Sequence, residues 1–262
     1  MGSVRIGTCG WSYKDWCGVF YPEALQPPDY LAFYAQKFPV VEVDSTFYRP
    51  PTPRMIETWK HKTPEHFGFS LKVPQVITHE KLLLECEPQL EEFLRAIAPL
   101  ENKLVCCLLQ FGYINRNVLP SLETFLERLE PFLESWPPNV PLAVEVRNRS
   151  WFSGELADRL RRRGVIWALS DQEWLPPLLE VMQKLDTVTG PLAYVRLLGE
   201  RAEVERHTKV FDRIVVDRSA QLGADAEAIR MLSGRVPVVV FVNNHFAGHA
   251  PATVQQLQLA LR

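Results

Sequence analysis

Two charged side chains share one face of a short apolar segment near the middle of the sequence. Residues 141–147 read PLAVEVR, so Glu145 and Arg147 alternate with valine and leucine side chains. Because successive side chains of a strand point to opposite faces, both charges lie on the face that the larger apolar side chains leave free. A carboxylate beside a guanidinium is suited to acid–base catalysis and to anion binding.

The same alternation predicts polar side chains on the equivalent face of three other apolar segments. These residues are Glu42 and Asp44, Ser70 and Lys72, and Tyr194 and Arg196. Three further segments end in polar residues that extend the set, namely Gln110, Asp171, and the pair Asn243 and Asn244. The charges expected to converge on one site are Lys72, Arg147 and Arg196 with Glu42, Asp44, Glu145 and Asp171.

This constellation predicts a site for a polar, anionic ligand. The predicted general acids or bases are Glu145, Asp171 and Asp44. The predicted polar substrate contacts are Lys72, Arg147, Arg196, Asn243, Asn244, His79 and Gln110. In this scheme the cations neutralise the ligand's charge, the carboxyl groups transfer protons, and the amides orient hydroxyl groups.

An ion-pair lattice inside the fold is the alternative role for the same charges. Buried charges persist only where they are paired or take part in function. This alternative applies most strongly to Glu42, which lies two residues deeper in its segment than Asp44. Glu42 is expected to pair with Lys72 or with Arg196.

Aromatic residues cluster in the segments that follow the apolar runs. Those predicted to contact a ligand are Trp11, Tyr13, Tyr48 and Trp151. Flat apolar rings with polar tips can stack on a sugar face or on a base. Loop aromatics also form lids over a core, and the sequence leaves both roles open.

Motifs for metals and phosphate-bearing cofactors are absent from the sequence. It has no H-x-H pair, no H-x-x-x-H segment with a glutamate between the histidines, no Cys-His spacing typical of a metal site, no G-x-G-x-x-G segment and no P-loop. A scattered set could supply ligands to a divalent metal, namely Asp44, Glu145, Asp171, His79 and His245. We expect no cofactor and no stoichiometric zinc.

Eight short β-rich segments carry these residues, and amphipathic helical segments alternate with them. The strands are predicted to begin near Arg5, Val40, His66, Val105, Pro141, Val165, Leu192 and Pro237. Clear helical patterns cover residues 29–38, 53–62, 119–134 and 154–163. Eight such units in 262 residues predict an α/β fold, a (β/α)8 TIM barrel that forms a single domain over residues 1–262. Sites in such barrels lie at the carboxyl ends of the strands.

Two connecting segments are harder to assign. Residues 174–185 follow the sixth strand and form a helical stretch that Pro176 and Pro177 interrupt. Residues 199–208 follow the seventh strand and are predicted as a long polar loop before a helix over residues 214–232. A doubly wound open sheet usually stops at about five or six strands, which favours the barrel. A solenoid is also disfavoured, because the successive units share no side-chain pattern.

Composition limits the class of protein. The chain is 47% hydrophobic and 23% charged, which is typical of a globular protein and excludes a disordered one. Its net charge of −2 provides no global basic field, so nucleic acid is an open but not favoured partner. The longest strongly apolar run, residues 236–242, is too short for a membrane helix. Five cysteines without a C-x-x-C pair indicate reduced thiols, so we expect a cytoplasmic protein without a membrane partner.

A series of ordered motifs spans nearly the whole chain. The opening segment 6–22 reads IGTCGWSYKDWCGVFYP, and segment 41–49 reads VEVDSTFYR. Further motifs are FSLK at 69–72, EVR at 145–147, YVRLLG at 194–199 and FVNN at 241–244. Together they resemble the YecE-like proteins, the domain of unknown function 72. This resemblance implies a TIM barrel whose biochemical activity is not established.

The sequence departs from the family pattern at three places. Leu198 stands where the family usually has histidine, and Asp44 stands where asparagine is usual. Phe111 and Gly112 replace two prolines that often follow the glutamine of the fourth strand. Histidine at a strand end can act as an acid, a base or a metal ligand, and Leu198 can do none of these.

Three functions are compatible with these features. The first is an enzyme that acts on a sugar phosphate or other phosphoester by general acid–base chemistry at the barrel mouth. The second is a metal-dependent phosphodiesterase or nucleic-acid-processing enzyme, and the third is a non-catalytic protein that binds a ligand or a nucleic-acid strand. The sequence leaves the oligomeric state open.

Overall fold

Eight parallel strands close into a barrel in the computed structural model, which describes residues 2–262. The strands are β1 (Val4–Cys9), β2 (Val40–Val43), β3 (Gly68–Lys72), β4 (Leu104–Gln110), β5 (Leu142–Glu145), β6 (Ile166–Gln172), β7 (Ala193–Gly199) and β8 (Val238–Val242). Their order around the barrel is their order in the sequence, and β8 pairs with β1 to close it. The predicted TIM barrel is confirmed, and each strand begins within two residues of its predicted start.

Helices cover the outside of the barrel. They are α1 (Tyr30–Lys37), α2 (Pro53–Lys62), α3 (Glu87–Ile97), α4 (Leu122–Ser135), α5 (Gly154–Arg162), α6 (Leu178–Lys184), α7 (Arg201–His207), α8 (Ser219–Ser233) and α9 (Ala250–Ala260). Side-chain hydroxyls cap the amino ends of helices: the Ser121 hydroxyl accepts a hydrogen bond from the Thr124 amide in α4, and the Ser153 hydroxyl accepts one from the Leu156 amide in α5. Proline occupies the first turn of α2, where no intrahelical donor is lost.

The prediction of a loop over residues 199–208 is wrong, because helix α7 occupies Arg201–His207. Only Val204 of that helix is buried, so the segment shows almost no hydrophobic period. A salt bridge of 2.6 Å between Arg201 and Glu205, one turn apart, supports the helix instead. The helix predicted for residues 214–232 also begins later, at Ser219.

Successive side chains of each strand point alternately into the lumen and outward to the helices, as predicted for β5. Leu142, Val144 and Val146 pack outward in the core beneath the helices, whereas Ala143 lies in the lumen. The lumen also contains the small or apolar side chains of Cys9, Val40, Cys106, Ala168 and Phe241. Polar side chains lie above this layer, toward the carboxyl ends of the strands.

The cysteines are all free thiols, and four of the five are buried. No helix within residues 2–262 combines the length and the apolar character that crossing a membrane requires.

Candidate functional site

A buried ion-pair triad of Glu42, Glu145 and Arg196 lies in the upper part of the lumen. The Arg196 guanidinium donates to both oxygens of Glu42, at 2.6 and 2.9 Å, and to Glu145 Oε2 at 2.6 Å. Tyr194 adds a hydroxyl donor to Glu42 Oε2 at 2.6 Å. Of the two partners expected for Glu42, Arg196 is therefore the one that binds it. The Arg196 side chain is occupied by these glutamates, although it borders the cleft above them.

The protonation of both glutamates is governed by the triad. Burial alone would raise the pKa of Glu145, but the charges and hydrogen bonds of Arg196 and Arg147 outweigh it and lower that pKa to about 2. Burial acts in the same sense on Glu42, and Arg196 and Tyr194 again hold its pKa below the ordinary value. Because both carboxylates stay ionised and fully bonded, Glu145 is unsuited to the role of general acid or base that its position suggested.

A cleft of about 510 Å³ opens above the triad at the carboxyl ends of the strands. Eight of the predicted site residues border it: Asp44, Tyr48, Lys72, His79, Gln110, Arg147, Arg196 and Asn243. Leu198 also borders the cleft, so a hydrocarbon side chain lies where the family usually has an imidazole. The convergence of polar side chains that alternation predicted is therefore found for most of the strands.

Asp44 and Lys72 face each other across one side of the cleft. Thr46, in the 3-10 turn Asp44–Phe47, donates to the backbone oxygen of Lys72 at 2.8 Å and thereby holds the turn against the end of β3. Lys72 Nζ lies 3.8 Å from Asp44 Oδ1, which is too far for a hydrogen bond. Within residues 2–262, Asp44 Oδ1 has no hydrogen-bond donor.

The pKa values of this pair are shifted toward each other. Burial raises the pKa of Asp44, and the charge of Glu42 raises it further. Burial also lowers the pKa of Lys72, and although Asp44 opposes this effect, Arg196 adds to it. The raised pKa makes Asp44 a stronger base, and the lowered pKa makes the Lys72 ammonium a stronger acid, than their ordinary counterparts.

Arg147 borders the same cleft and has free hydrogen-bond donors. Its Nε donates to Glu145 Oε1 at 2.7 Å, which fixes the orientation of the guanidinium. Its two Nη groups have no hydrogen-bond partner within residues 2–262, and 25% of the side chain is exposed. The guanidinium thus presents a planar pair of donors to the cleft.

A second cavity of about 490 Å³ adjoins the first and has an aromatic rim. Tyr113 and Trp174, which border it, are 69% and 68% exposed. Both cavities are bordered by Arg147, Gln172 and Trp174, so they form one continuous surface. Sequence reasoning missed Tyr113 and Trp174, although each follows within three residues of the end of a barrel strand.

Comparison with known proteins places this architecture in a family. Residues 5–262 match the family described as "Protein of unknown function DUF72". The chain belongs to the DUF72 family. Among curated proteins it is similar to the UPF0759 protein YecE of Escherichia coli, with 30% identity over 163 residues. It is also similar to the UPF0759 protein YunF of Bacillus subtilis, with 31% identity over 158 residues.

The extent of these matches differs between sequences and structures. The match to YecE covers 62% of this chain and 55% of YecE, so the chain spans about half the length of the curated relatives it matches. A DUF72 family protein from Thermotoga maritima covers 99% of both chains, with 31% identity and a TM-score of 0.79. A DUF72 family protein from Enterococcus faecalis, with 21% identity and a TM-score of 0.71, shares the fold.

Asp171 does not reach the cleft of this DUF72 protein. Its side chain lies on the outer face of β6, where Gln221 of α8 donates to Asp171 Oδ1 at 2.5 Å. Trp167 and Leu169 pack on the same outer face, so strict alternation assigns Ser170 rather than Asp171 to the lumen. Asp171 therefore lies outside the cleft in which it was predicted to act as a general acid or base.

Four other residues predicted to contact the ligand pack inside the fold and do not border the cleft, namely Asn244, Trp151, Trp11 and Tyr13. Asn244 is buried, and its Oδ1 accepts from the Trp16 indole and from the Ala250 amide. Trp151 is buried as well, because it stacks on Phe125 with ring centroids 4.8 Å apart. The positions of these two side chains depend on packing between loops and helices, which the alternation of residues along a strand cannot predict.

Trp11 and Tyr13 have the lid role that the sequence left open. Trp11 packs edge-on against Trp59 of α2, with ring centroids 5.7 Å apart. The Tyr13 hydroxyl donates to the Cys9 carbonyl at 2.8 Å, and its ring packs on Trp16. Of the four predicted aromatic contacts, Tyr48 alone borders the cleft.

The side chains of Cys9, Glu42 and Asp44 form one group of potential metal ligands within residues 2–262. Their donor atoms lie within 4.8 Å of one another. Both Glu42 oxygens already accept hydrogen bonds from Arg196 and Tyr194, and burial raises the pKa of the Cys9 thiol well above its usual range. A metal would require the thiolate and a free carboxylate, so this group is poorly suited to hold one.

Proposed function

We propose that this DUF72 protein is an enzyme that binds a polar, anionic small molecule, a sugar phosphate or other phosphoester, at the barrel mouth. The proposal assigns general acid–base chemistry to the cleft that Asp44, Lys72 and Arg147 border. The observation that carries it is the pair of unpartnered Nη groups of Arg147.

Arg147 has the properties of an anion anchor. A guanidinium offers two parallel donors that match the oxygens of phosphate or carboxylate. Its bond to Glu145, which is itself bound to Arg196, holds this fork in one orientation before a ligand arrives. Less conformational entropy is then lost on binding, which favours affinity.

The charges around the cleft support an anionic ligand. The cations Lys72, Arg147, Arg196 and Arg201 border the cleft, and Asp44 is the carboxylate that borders it with them. Glu42 and Glu145 bind Arg196, Glu145 also binds Arg147, and Glu205 binds Arg201, so the free donors of Arg147 and the amine of Lys72 are the cationic groups left to a ligand. Burial and the charge of Glu42 raise the pKa of Asp44, which makes its carboxylate a stronger base than that of an ordinary aspartate and suits it to exchange a proton with a reacting oxygen. We therefore assign the acid–base role to Asp44.

The aromatic rim would hold the organic part of the ligand. Tyr113 and Trp174 are large, exposed rings beside the Arg147 guanidinium. Such rings with polar tips pack against sugar faces and heterocycles. The anion would thus lie at the junction of the two cavities, with the reacting group beside Asp44 and the remainder against the rim.

The anion-binding proposal predicts stabilisation of the native protein by phosphate. Ligand that binds only the folded state should stabilise it by about 2.7 kcal/mol at a concentration a hundredfold above Kd. We expect the Tm of the wild-type protein to rise with phosphate concentration at constant ionic strength, and the rise to be lost in Arg147→Met. Thermal unfolding followed by circular dichroism measures both.

Arg162→Met is the matched control, because Arg162 is exposed at the end of α5 that leads to the amino end of β6, whereas the cleft lies at the carboxyl ends of the strands. This variant should keep the phosphate response. Arg147→Met should remain folded, since Glu145 retains its bond to Arg196. A phosphate response of unchanged size in folded Arg147→Met would remove the main support for the proposal.

A further inference from the structure

The amine of Lys72 has surroundings that set it apart from a surface lysine. The side chain is 12% exposed, and Nζ lies 4.3 Å from the centroid of the Phe47 ring. Nζ makes no hydrogen bond to a protein group within residues 2–262, and its closest carboxylate oxygen, on Asp44, lies 3.8 Å away. The Phe47 ring and the Asp44 carboxylate both favour the ammonium form, but its three donors have no hydrogen-bond acceptor among the described protein groups, which disfavours it.

Two features of these surroundings shift the Lys72 equilibrium toward the neutral amine. Burial and the nearby Arg196 charge lower the pKa of Lys72, against the opposing effect of Asp44. Desolvation and a neighbouring cation are the means by which enzymes make a lysine nucleophilic. Phe47 covers one side of the amine, and the cleft leaves the other side open to a ligand.

We propose that Lys72 is a nucleophile that forms a Schiff base with a phosphorylated aldehyde or ketone. This inference rests on the proposed function, because the phosphate of such a molecule would lie on Arg147, which borders the same cleft. It narrows the substrate class from anionic molecules in general to those with a carbonyl group.

The chemistry balances with groups that border the cleft. The neutral amine adds to the carbonyl carbon, so that a C–N bond forms as the C=O π bond breaks, and one proton passes from the nitrogen to the oxygen to give a neutral carbinolamine. Protonation of that hydroxyl by Asp44 releases water and leaves a protonated imine, so one amine, one carbonyl and one proton give one iminium and one water. The iminium withdraws electrons from the adjacent bonds, and the Asp44 carboxylate can then accept a proton from the neighbouring carbon.

Reductive trapping tests the inference on the intact wild-type chain. The protein is incubated with glycolaldehyde phosphate and sodium cyanoborohydride, which adds hydride to the imine carbon and makes the adduct permanent. Peptide mass spectrometry then locates the adduct. We expect one adduct per chain, at Lys72, formed about tenfold or more faster than at other lysines, because the anchored phosphate holds the aldehyde beside the amine.

Exposed lysines of the same chain are the internal controls. Lys184 and Lys209 have side chains 68% and 74% exposed and report the reactivity of ordinary surface amines. The Lys72→Arg variant should show these slow surface adducts and lose the fast one. Labelling of Lys72 no faster than of Lys184 and Lys209 would overturn the inference, whether or not phosphate still stabilises the protein.

Glycolaldehyde without its phosphate separates this inference from the proposed function. Fast labelling of Lys72 by the phosphorylated aldehyde alone supports both. Equally fast labelling by the two aldehydes supports the Schiff base while contradicting the anion anchor at Arg147. If phosphate stabilises the wild-type protein but neither aldehyde labels Lys72 preferentially, the anion site stands and the Schiff base is refuted.

Discussion

Replacement of Arg196 by methionine is expected to lower the free energy of unfolding by about 3–5 kcal/mol. The substitution keeps most of the bulk of the side chain but leaves Glu42 and Glu145 without the cation that bonds to both. Both glutamates are fully buried, so water cannot compensate their charges. Urea denaturation of the wild-type and variant proteins, followed by circular dichroism and by tryptophan fluorescence, measures the loss.

A combined variant controls for the change in shape. Glu42→Gln and Glu145→Gln added to Arg196→Met remove all three charges together, and most of the lost stability should return, because a buried triad contributes little net stability. The single variant should also recover on acidification, since protonation neutralises the stranded carboxylates. A loss below about 1 kcal/mol is typical of exposed ion pairs and would contradict the buried triad.

Alternation along the strands predicted the inner face of the barrel well. Glu42, Lys72, Glu145 and Arg196 all occupy the lumen side at the carboxyl ends of their strands. The reason is physical: the outward side chains of a barrel strand must be apolar to pack under helices, so the remaining parity is fixed. The same rule placed Leu142 and Val144 in the outer core.

The sequence could not say which charges pair with which. Both Lys72 and Arg196 are cations on the lumen side of their strands, so the sequence offered each as a partner for Glu42. In the barrel, the Arg196 guanidinium lies between Glu42 and Glu145 and binds both. That choice depends on strand tilt and register around the closed barrel. It matters for function, because it uses Arg196 for structure and leaves Lys72 facing the cleft.

Residues near the strand ends and in loops were the least predictable. Trp151 and Asn244 are held by packing and hydrogen bonds to distant elements, Phe125 of α4 and Trp16. Tyr113 and Trp174 were missed for the opposite reason, because they are exposed at the cleft rim although aromatic residues are more often buried. A single sequence does not show that such a residue is exposed.

The division of charges gives the cleft its chemical character. Glu42, Glu145 and Arg196 form a fixed layer, and that layer orients Arg147 through Glu145. Asp44 and Lys72 lie above it with shifted pKa values and without a hydrogen bond to each other. A rigid support beneath free donors is the arrangement that the acid–base function proposed for this cleft would use.

A pair of buried carboxyl groups outside the cleft makes the stability of the fold depend on pH. Asp225 of α8 is 4% exposed, and its Oδ2 has no hydrogen-bond partner within residues 2–262. Burial raises the pKa of Asp225 to about 8, and the charge of Asp171 contributes to the shift. Burial raises the pKa of Asp171 as well. At neutral pH the folded protein therefore retains a proton that the unfolded chain has lost.

The sign of the pH dependence follows from this retained proton. The unfolded carboxyl group has a pKa of about 3.8 and the folded one a pKa of about 8, so between these values the folded state binds more protons. Stability must then fall as pH rises through this window, by up to about 1.4 kcal/mol per pH unit for one proton, and level off above it. Because Asp225 and Asp171 interact, the two titrate as a pair.

Asp225→Asn is expected to remove most of this decline, because the amide is close in shape to the protonated acid and cannot ionise. The variant should be more stable than wild type at pH 8.5 by several kcal/mol and similar to it near pH 4. Glu227→Gln, an exposed position on the same helix, should leave the wild-type profile unchanged. Urea denaturation across this pH range gives the three profiles. Parallel wild-type and Asp225→Asn curves would mean that Asp225 is ionised in the folded protein, and that a cation or solvent reaches its buried carboxylate.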